Sequence, residues 1–189
     1  MEVHEEVELI LTDAEERMQK SNNELINALG LIRSGRATTG LVDDIRVEAY
    51  GDVLPLNQVG AVSIPEARTI TIDVWDKAIA QDVEKAIQKS GRNLNPQNDG
   101  GFIRINLPDL TEDRRKELAK LAKQKVEDFK VAIRNIRRDA NDSIKRLKSE
   151  GISDDEMRVI QDKIQTLTDN KVRKMDEIFA AKEKEILTV

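Results

Sequence analysis

The amino-acid sequence predicts an α+β fold, an elongated three-helix bundle with a small β/α/β domain inserted after the first helix. Three long segments repeat apolar residues every three or four positions, which is the spacing of amphipathic helices. The residues between the first and second of these segments alternate apolar and polar side chains, as strands do. We therefore assign residues 1–33 and 106–189 to the bundle and residues 34–105 to the inserted domain.

The first predicted helix is acidic. Its apolar positions include Val7, Leu11, Ala14 and Met18, and residues 1–30 hold eight acidic against two basic side chains. This helix cannot bury its apolar stripe alone, so it must pack on helices later in the chain. The first residues are acidic where a signal peptide is basic, and no apolar run approaches the roughly 18 residues of a membrane span. We expect a cytoplasmic protein that contacts no membrane.

The inserted segment predicts short strands around one helix. Alternation over residues 45–50, 61–64, 69–75 and 102–105 indicates strands bounded by Gly, Pro and Asp. Residues 80–89 place three apolar side chains on one helical face, and residues 93–101 are predicted to form a loop. We expect Tyr50 and Trp75 to lie in the core of this domain.

The second long helix is basic, and its charges are sorted into stripes. Residues 114–148 hold 13 Lys or Arg against 5 Asp or Glu, in a chain with a net charge of −5. At about 100° per residue, six side chains form a stripe beside the apolar one: Lys123, Lys130, Arg134, Arg137, Asn141 and Lys145. Asp128, Asp139 and Asp142 lie on the other side of the apolar stripe. A basic stripe on a rigid rod suits a phosphate backbone, whereas the plainer interpretation is a solvated helix face.

Both long C-terminal helices have recognisable starts. Thr111 is a candidate N-cap for the basic helix, with Glu112 and Asp113 suited to its first turn. Gly151 separates this helix from the last one, which begins with the Ser-x-x-Glu pattern of a capping box at Ser153 and Glu156.

The residue inventory argues against an enzyme or a metal site. The sequence has no cysteine and one histidine, His4, so it offers neither thiolate chemistry nor a pair of histidine ligands. It has no phosphate-binding glycine loop and no nucleophile elbow. Its carboxylates are spread over helix faces or belong to helix starts. We expect a protein that acts by binding.

The passage between the first helix and the inserted domain is a candidate bend. Gly35 tolerates backbone angles that other residues resist, and Arg33 and Arg36 flank it, either as helix C-terminal charges or as RNA contacts. Arg114 and Arg115 lie at a helix start, where positive charge opposes the helix dipole, which hints at an anionic partner. Because aromatic residues are few, an RNA partner is expected to be recognised by backbone and shape.

Several segments together identify a resemblance to the ribosome recycling factor family. They occur in the family's order along the whole chain and are residues 32–37, 94–96, 107–116, 131–142 and 167–169. The arginine-rich segment Arg134-Asn135-Ile136-Arg137-Arg138 is the most specific of them. Ser34 stands where threonine is more usual, and the first residues extend slightly further than is typical.

The resemblance implies more than the patterns do. It implies an L-shaped molecule whose domains meet at a two-stranded hinge, for which Ser34, Gly35, Asn106, Leu107 and Pro108 are the candidates. It implies that the bundle binds large-subunit ribosomal RNA in the intersubunit space of the post-termination ribosome. It further implies that the protein acts with elongation factor G and GTP to split the ribosome into subunits and release it from the messenger RNA.

The resemblance also assigns residues. Arg134, Arg137 and Arg138 match the family's RNA-contacting arginines, although Arg138 lies further round the helix, where a structural ion pair is the alternative. Lys130 and Asn141 join them as stripe residues. We expect a monomer without a cofactor of its own, because GTP is used by the partner. Two rivals remain open: a helical scaffold or chaperone, and a general binder of structured RNA.

Overall fold

A computed structural model describes residues 3–188; the predicted assignments of residues 1, 2 and 189 lie outside the described residues. The chain divides into a helical unit, residues up to Arg33 together with Glu112–Thr188, and a small unit, Ser34–Thr111. The second boundary therefore differs from the predicted one at residue 106. Residues 106–111 stay with the small unit because Asn106 ends a strand and the Leu107 amide donates to the Arg68 carbonyl oxygen over 2.8 Å.

The helical unit contains three long α-helices. They are α1 (Val3–Gly30), α3 (Glu112–Arg146) and α4 (Asp154–Leu187). The capping box predicted for α4 is present: the Ser153 hydroxyl accepts from the Glu156 amide over 3.2 Å, and the Glu156 carboxylate accepts from the Ser153 amide over 3.0 Å. A short 3-10 helix, Leu147–Glu150, and Gly151 connect α3 to α4.

The apolar stripes of the three helices form the core of this unit. Fully buried side chains come from every helix: Met18 and Leu25, Ile133 and Ile144, and Ile164 and Met175. Each such side chain contributes about 1.5–3 kcal/mol relative to an exposed position. Ala14, Ala122 and Ala140 are also buried, and their small size lets neighbouring helices approach closely. Among residues 3–188, no helix is long and apolar enough to cross a membrane.

The small unit packs one α-helix and a hairpin against an antiparallel sheet. Its elements are β1 (Arg46–Ala49), β2 (Asp52–Pro55), β3 (Gly60–Glu66), β4 (Thr69–Val74), α2 (Ala80–Lys89), β5 (Pro96–Asp99) and β6 (Phe102–Asn106). Strands β1 and β2 pair with each other, and the four-stranded sheet has the order β3-β4-β6-β5. Three 3-10 helices, Thr39–Leu41, Leu56–Gln58 and Lys77–Ile79, connect these elements. The core combines residues such as Val47, Ile72, Val83, Ile87 and Ile103. The α+β prediction is confirmed.

Two strands were absent from the sequence-based expectation. Strand β2 follows the turn at Tyr50 and Gly51, and β5 lies within the stretch predicted as a loop. Asp99 pairs directly with Phe102, so Gly100 and Gly101, with φ of 60° and 98°, form a two-residue hairpin turn. Strand β5 was not predicted because its residues are mainly polar. Alternation of apolar and polar residues is weak where few side chains of a strand face a core.

The expectation that Tyr50 and Trp75 lie in the core is wrong. Tyr50 is 69% exposed and Trp75 is 65% exposed. Tyr50 occupies the two-residue turn after β1 with φ 57°, so its side chain leaves the hairpin at its tip. Trp75 follows Val74, the last core-facing residue of β4, and alternation turns it to the other side.

Candidate nucleic-acid interface

The basic stripe of α3 runs beside its contact with α4. The apolar face of α3 is buried, with Ile133, Ile136 and Ala140 among its members. On one side of this face, Asp139 accepts from Arg17 of α1 over 2.9 Å. Side chains of the basic stripe reach α4 on the opposite side. The acidic and basic side chains that helical periodicity separates therefore contact different helices, α1 for Asp139 and α4 for Lys130 and Arg137.

Arg134, a member of the stripe, and Arg138, which lies further round the helix, are both available to an anionic partner. Both side chains are exposed, and neither forms a hydrogen bond or ion pair with any of the residues that the structure describes. The structural ion pair considered for Arg138 is thus not seen within residues 3–188. An exposed guanidinium presents several donors in a planar fork that matches a phosphate group.

Arg137 is half-buried and is held by a neutral acceptor. Its Nη1 donates to the Gln165 side-chain oxygen over 3.1 Å, and the Gln165 Nε2 donates to an Asp169 carboxylate oxygen over 2.8 Å. The Asp169 carboxylate thereby orients the amide so that its oxygen faces Arg137. Because the acceptor is an amide, the guanidinium is positioned while its positive charge is retained.

Lys130 differs from the arginines because carboxylates offset its charge. Its Nζ lies 2.6 Å from Asp176 and 3.3 Å from Glu127, and its side chain is 13% exposed. The hydrogen bond with Asp176 is the main cause that raises the pKa of Lys130, against the opposing effect of burial. Asn141 is half-buried, and its Oδ1 accepts no hydrogen bond from the described part of the chain. Within the predicted stripe, Arg134 is thus available to an anionic partner, whereas Lys130 is already paired with carboxylates of the protein itself.

The additional arginines have separate environments. Within the helical unit, Arg33 is exposed, and Arg114 donates to Glu117 over 2.8 Å. Arg115 is half-buried, and its Nε is enclosed without an acceptor among residues 3–188. Arg36 belongs to the small unit and is exposed. Arg114 is therefore partly neutralised by its own helix.

The residues predicted as a hinge all fall in the small unit. Ser34 is buried, and Gly35 has φ 79°, with Leu110 Cγ 3.0 Å from the position of an added Cβ. The side chain of Asn106 accepts from Thr69 over 3.3 Å, whereas Pro108 is exposed.

Both chain passages are tied to the turn between β3 and β4. The Ala37 amide donates to the Ala67 carbonyl over 2.7 Å, and the Leu107 amide donates to the next carbonyl, that of Arg68. The Arg68 side chain also pairs with Asp109. Residues 37 and 107 are thus held in place by the same turn.

The arrangement offers a basic surface on α3 that can bind an anionic partner. No group of His, Asp and Glu side chains in residues 3–188 is arranged to hold a metal ion. Sequence reasoning missed Gln165, Asp169 and Asp176, which decide how Arg137 and Lys130 are held. Only the motif at residues 167–169 pointed to this part of α4, because a polar contact between single residues of two helices leaves no periodic signal.

Sequence comparison relates the chain to one family along nearly its full length. It matches the family described as "Ribosome recycling factor" over residues 10–187. It is 50% identical over 184 residues to the ribosome-recycling factor of Solidesulfovibrio magneticus, covering 97% of this chain and 100% of that relative. It is 49% identical over 181 residues to that of Bacillus licheniformis, with coverage of 95% and 98%.

Solved structures give the same relationship. A solution structure of a ribosome recycling factor superposes with a TM-score of 0.75 at 41% identity, covering 97% of this chain and 98% of that one. A second, described as models for the T. thermophilus ribosome recycling factor and the E. coli elongation factor G bound to the E. coli post-termination complex, has a TM-score of 0.62. It is 40% identical and covers 99% of this chain and 100% of the other.

The fold and the similarity to known proteins define a class of translation factors that act by binding. Its helical unit supplies a rigid surface, and its charges are placed on one face of that surface. The chain belongs to the ribosome recycling factor family. This family comprises non-enzymatic translation factors of protein biosynthesis, and the resemblance inferred from the motifs is confirmed.

Proposed function

We propose that this protein recycles ribosomes after translation termination by binding large-subunit ribosomal RNA through the basic stripe of α3. The observation that carries the proposal is that Arg134 and Arg138 project from a rigid helix without an ionic partner in residues 3–188. Release of counterions from the RNA backbone favours such contacts. The related structure described with elongation factor G on a post-termination complex supports the ribosome as the partner.

The arginines have distinct roles in this proposal. Arg134 and Arg138 contact phosphates directly, and Arg137 is presented by Gln165 at the edge of the same face. Lys130 supports the bundle through Asp176, and its contribution to RNA binding is smaller. Asn141 lies on the same face with an oxygen that lacks a donor among the described residues, and it completes the RNA-binding set. Arg33, Arg36, Arg114 and Arg115 are additional candidates for RNA contacts.

The rest of the mechanism depends on a partner factor. Elongation factor G hydrolyses GTP and drives the subunits apart, while this protein contributes binding energy and needs no cofactor. It acts as a monomer in the cytoplasm, where ribosomes terminate translation. The family relationship and the described neighbour with elongation factor G support this division of labour.

A bend between the two units belongs to the same proposal. Ala37 and Leu107 are hydrogen-bonded to neighbouring residues of one turn, so we place the bend outside them, at Ser34 and Gly35 and at Pro108 and the residues after it. Asn106 and Leu107, which the sequence suggested as hinge residues, are then part of the small unit and move together with its four-stranded sheet. Gly35 suits a bend because its φ of 79° is a conformation that glycine adopts at little cost.

The proposal is tested with purified post-termination ribosomes sedimented with the protein, alone and with elongation factor G and GTP. We expect co-sedimentation of the protein alone, and conversion to free subunits only when both factors and GTP are present. Arg134→Ala/Arg137→Ala should abolish co-sedimentation at moderate salt, because the loss of two phosphate contacts lowers affinity by roughly 25-fold. Absence of co-sedimentation for the unaltered protein would favour the alternative that it is a helical scaffold or chaperone. Equal affinity for unrelated folded RNAs would favour the alternative that it binds structured RNA in general.

The bend is tested by Gly35→Ala, with Gly40→Ala as the matched control. A Cβ added at residue 35 would lie 3.0 Å from Leu110 Cγ, and the backbone there has the left-handed conformation that side chains disfavour. A Cβ added at residue 40 has no atom within 4 Å. We expect Gly35→Ala to slow splitting more than it weakens ribosome binding, with the control unchanged. Equal losses of splitting and binding would argue against a bend at this position.

A further inference from the structure

The first helix is connected to its bundle differently from the other two. Helices α3 and α4 follow each other directly, joined by residues 147–153 alone. The whole small unit, Ser34–Thr111, separates α1 from α3 along the chain. No short connection therefore holds α1 against the pair that α3 and α4 form, and its position depends on its contacts with them.

Two polar contacts of α1 with the other helices lie at the surface. Arg17 donates to Asp139 of α3 over 2.9 Å, and Lys171 of α4 donates to the side-chain oxygen of Gln19 over 2.7 Å. Both bonds are exposed, and exposed pairs add little to stability because water competes for the same groups. The docking of α1 therefore rests mainly on its buried face.

Asn22 interrupts this buried face with an amide. It is 2% exposed, and the fully buried Met18 and Leu25 lie one turn to either side of it. Neither its side-chain oxygen nor its side-chain nitrogen has a hydrogen-bond partner in the described part of the chain. The other buried polar side chains of the described helices, Ser21 and Thr168, donate to carbonyl oxygens four residues earlier in their own helices. Asn22 thus brings two unpaired polar groups into the core.

Unpaired polar groups in a core weaken the docking of the helix that carries them. The Asn22 amide gives up its bonds to water when α1 docks and regains them when α1 opens, which favours opening by about tenfold or more. This cost falls on α1, because the buried residues of α3 are all apolar. Most of the stability of a helix in a protein comes from the packing of its apolar face, so an undocked α1 also loses its internal hydrogen bonds.

We infer that α1 opens as a unit while α3 and α4 stay paired, and that Asn22 sets how often it opens. Opening of α1 requires neither RNA nor a ribosome, so it is independent of the proposed function. Because α1 leads into the passage at Ser34 and Gly35, its opening leaves the small unit attached to packed helices only through the passage after Pro108. The bundle thus contains a helix that is released without unfolding the helix that carries Arg134.

Native-state hydrogen exchange of the full chain measures this opening helix by helix. The exchange rate of each backbone amide is followed by NMR at several urea concentrations below the unfolding transition. Asn22→Leu replaces the amide by an apolar group with the same branching and the same number of heavy atoms. Asn23→Leu is the matched control, because the neighbouring residue is exposed while the change in helix propensity is the same.

In the unaltered protein, we expect the slowest amides of α1 to exchange about tenfold or more faster than the slowest amides of α3 and α4. Urea should accelerate exchange in α1 with a shallower slope, because opening one helix exposes less surface than global unfolding does. Asn22→Leu should slow exchange in α1 by roughly tenfold. Asn23→Leu should slow it by about twofold or less, from helix propensity alone.

Other outcomes would overturn the inference. Equal exchange rates and equal urea slopes in the three helices would show that the bundle unfolds as one unit. Asn22→Val, which has one carbon fewer than leucine, controls for overpacking of the core. If neither Asn22→Leu nor Asn22→Val slows exchange in α1 more than Asn23→Leu does, Asn22 does not favour opening.

Discussion

The partners of Lys130 and Arg137 predict that two neighbouring cations contribute differently to RNA binding. Arg137→Ala removes a guanidinium whose acceptor, Gln165, is neutral. We expect the slope of log affinity against log salt to become shallower by about 0.7–0.9, the contribution of one phosphate contact. A unit charge about 4 Å from a phosphate in water contributes about 1 kcal/mol, so affinity should fall roughly fivefold.

Lys130 should behave differently because carboxylates lie 2.6 and 3.3 Å from its ammonium group. Lys130→Gln/Asp176→Asn removes both members of the closer pair and conserves net charge, so we expect an unchanged salt slope. Lys125→Ala serves as the matched control, since residue 125 is exposed on the same helix half-way round from Arg134. The assay is ribosome co-sedimentation across a series of salt concentrations. A slope lowered equally by the Lys130 pair and by Arg137→Ala would refute the reasoning.

Three further predictions concern Gln165 and the start of α4. Gln165→Ala should weaken ribosome binding by about two- to threefold, from loss of one exposed hydrogen bond, with the salt slope unchanged because Arg137 keeps its charge; a shallower slope would contradict this. Ser153→Ala should lower the free energy of unfolding in urea by about 1 kcal/mol, and Ser153→Gly by only a few tenths; equal losses would exclude the cap. Bonds from the Ser153 side chain and amide lower the pKa of Glu156. The stabilisation that Glu156 gives is therefore fully present above the pKa of about 4.3 that this residue has in the unfolded chain. It is lost as pH falls through the lower pKa of the folded state. Glu156→Gln should reduce this acid dependence in urea titrations at several pH values; an unchanged profile would refute it.

The helical part of the fold was predictable because its signals are local. Thr111 and Ser153 placed the starts of α3 and α4, and helical periodicity identified the buried stripe that includes Ile133, Ile136 and Ala140. The same periodicity predicted a basic stripe containing Arg134 and Arg137. These properties depend on the spacing of residues within one segment, so the sequence alone determines them.

The small unit was less predictable, because its strands are short and its polar residues face several environments. The Gly100-Gly101 pair is a hairpin signal, yet the polar strand β5 before it has no apolar alternation to reveal it. Trp75 and Tyr50 were expected in the core because aromatic residues are usually buried. Their exposure follows from a strand end and a turn tip, which are features of the assembled sheet.

The tertiary structure decided which members of the basic stripe are available. Periodicity gives Lys130 and Arg134 nearly the same direction on α3, but Lys130 reaches Asp176 whereas Arg134 meets no acceptor within residues 3–188. That difference depends on residues of α4 that lie far along the chain and become neighbours only when the helices pack. A sequence determines where charge lies on a helix, and packing determines whether that charge is neutralised.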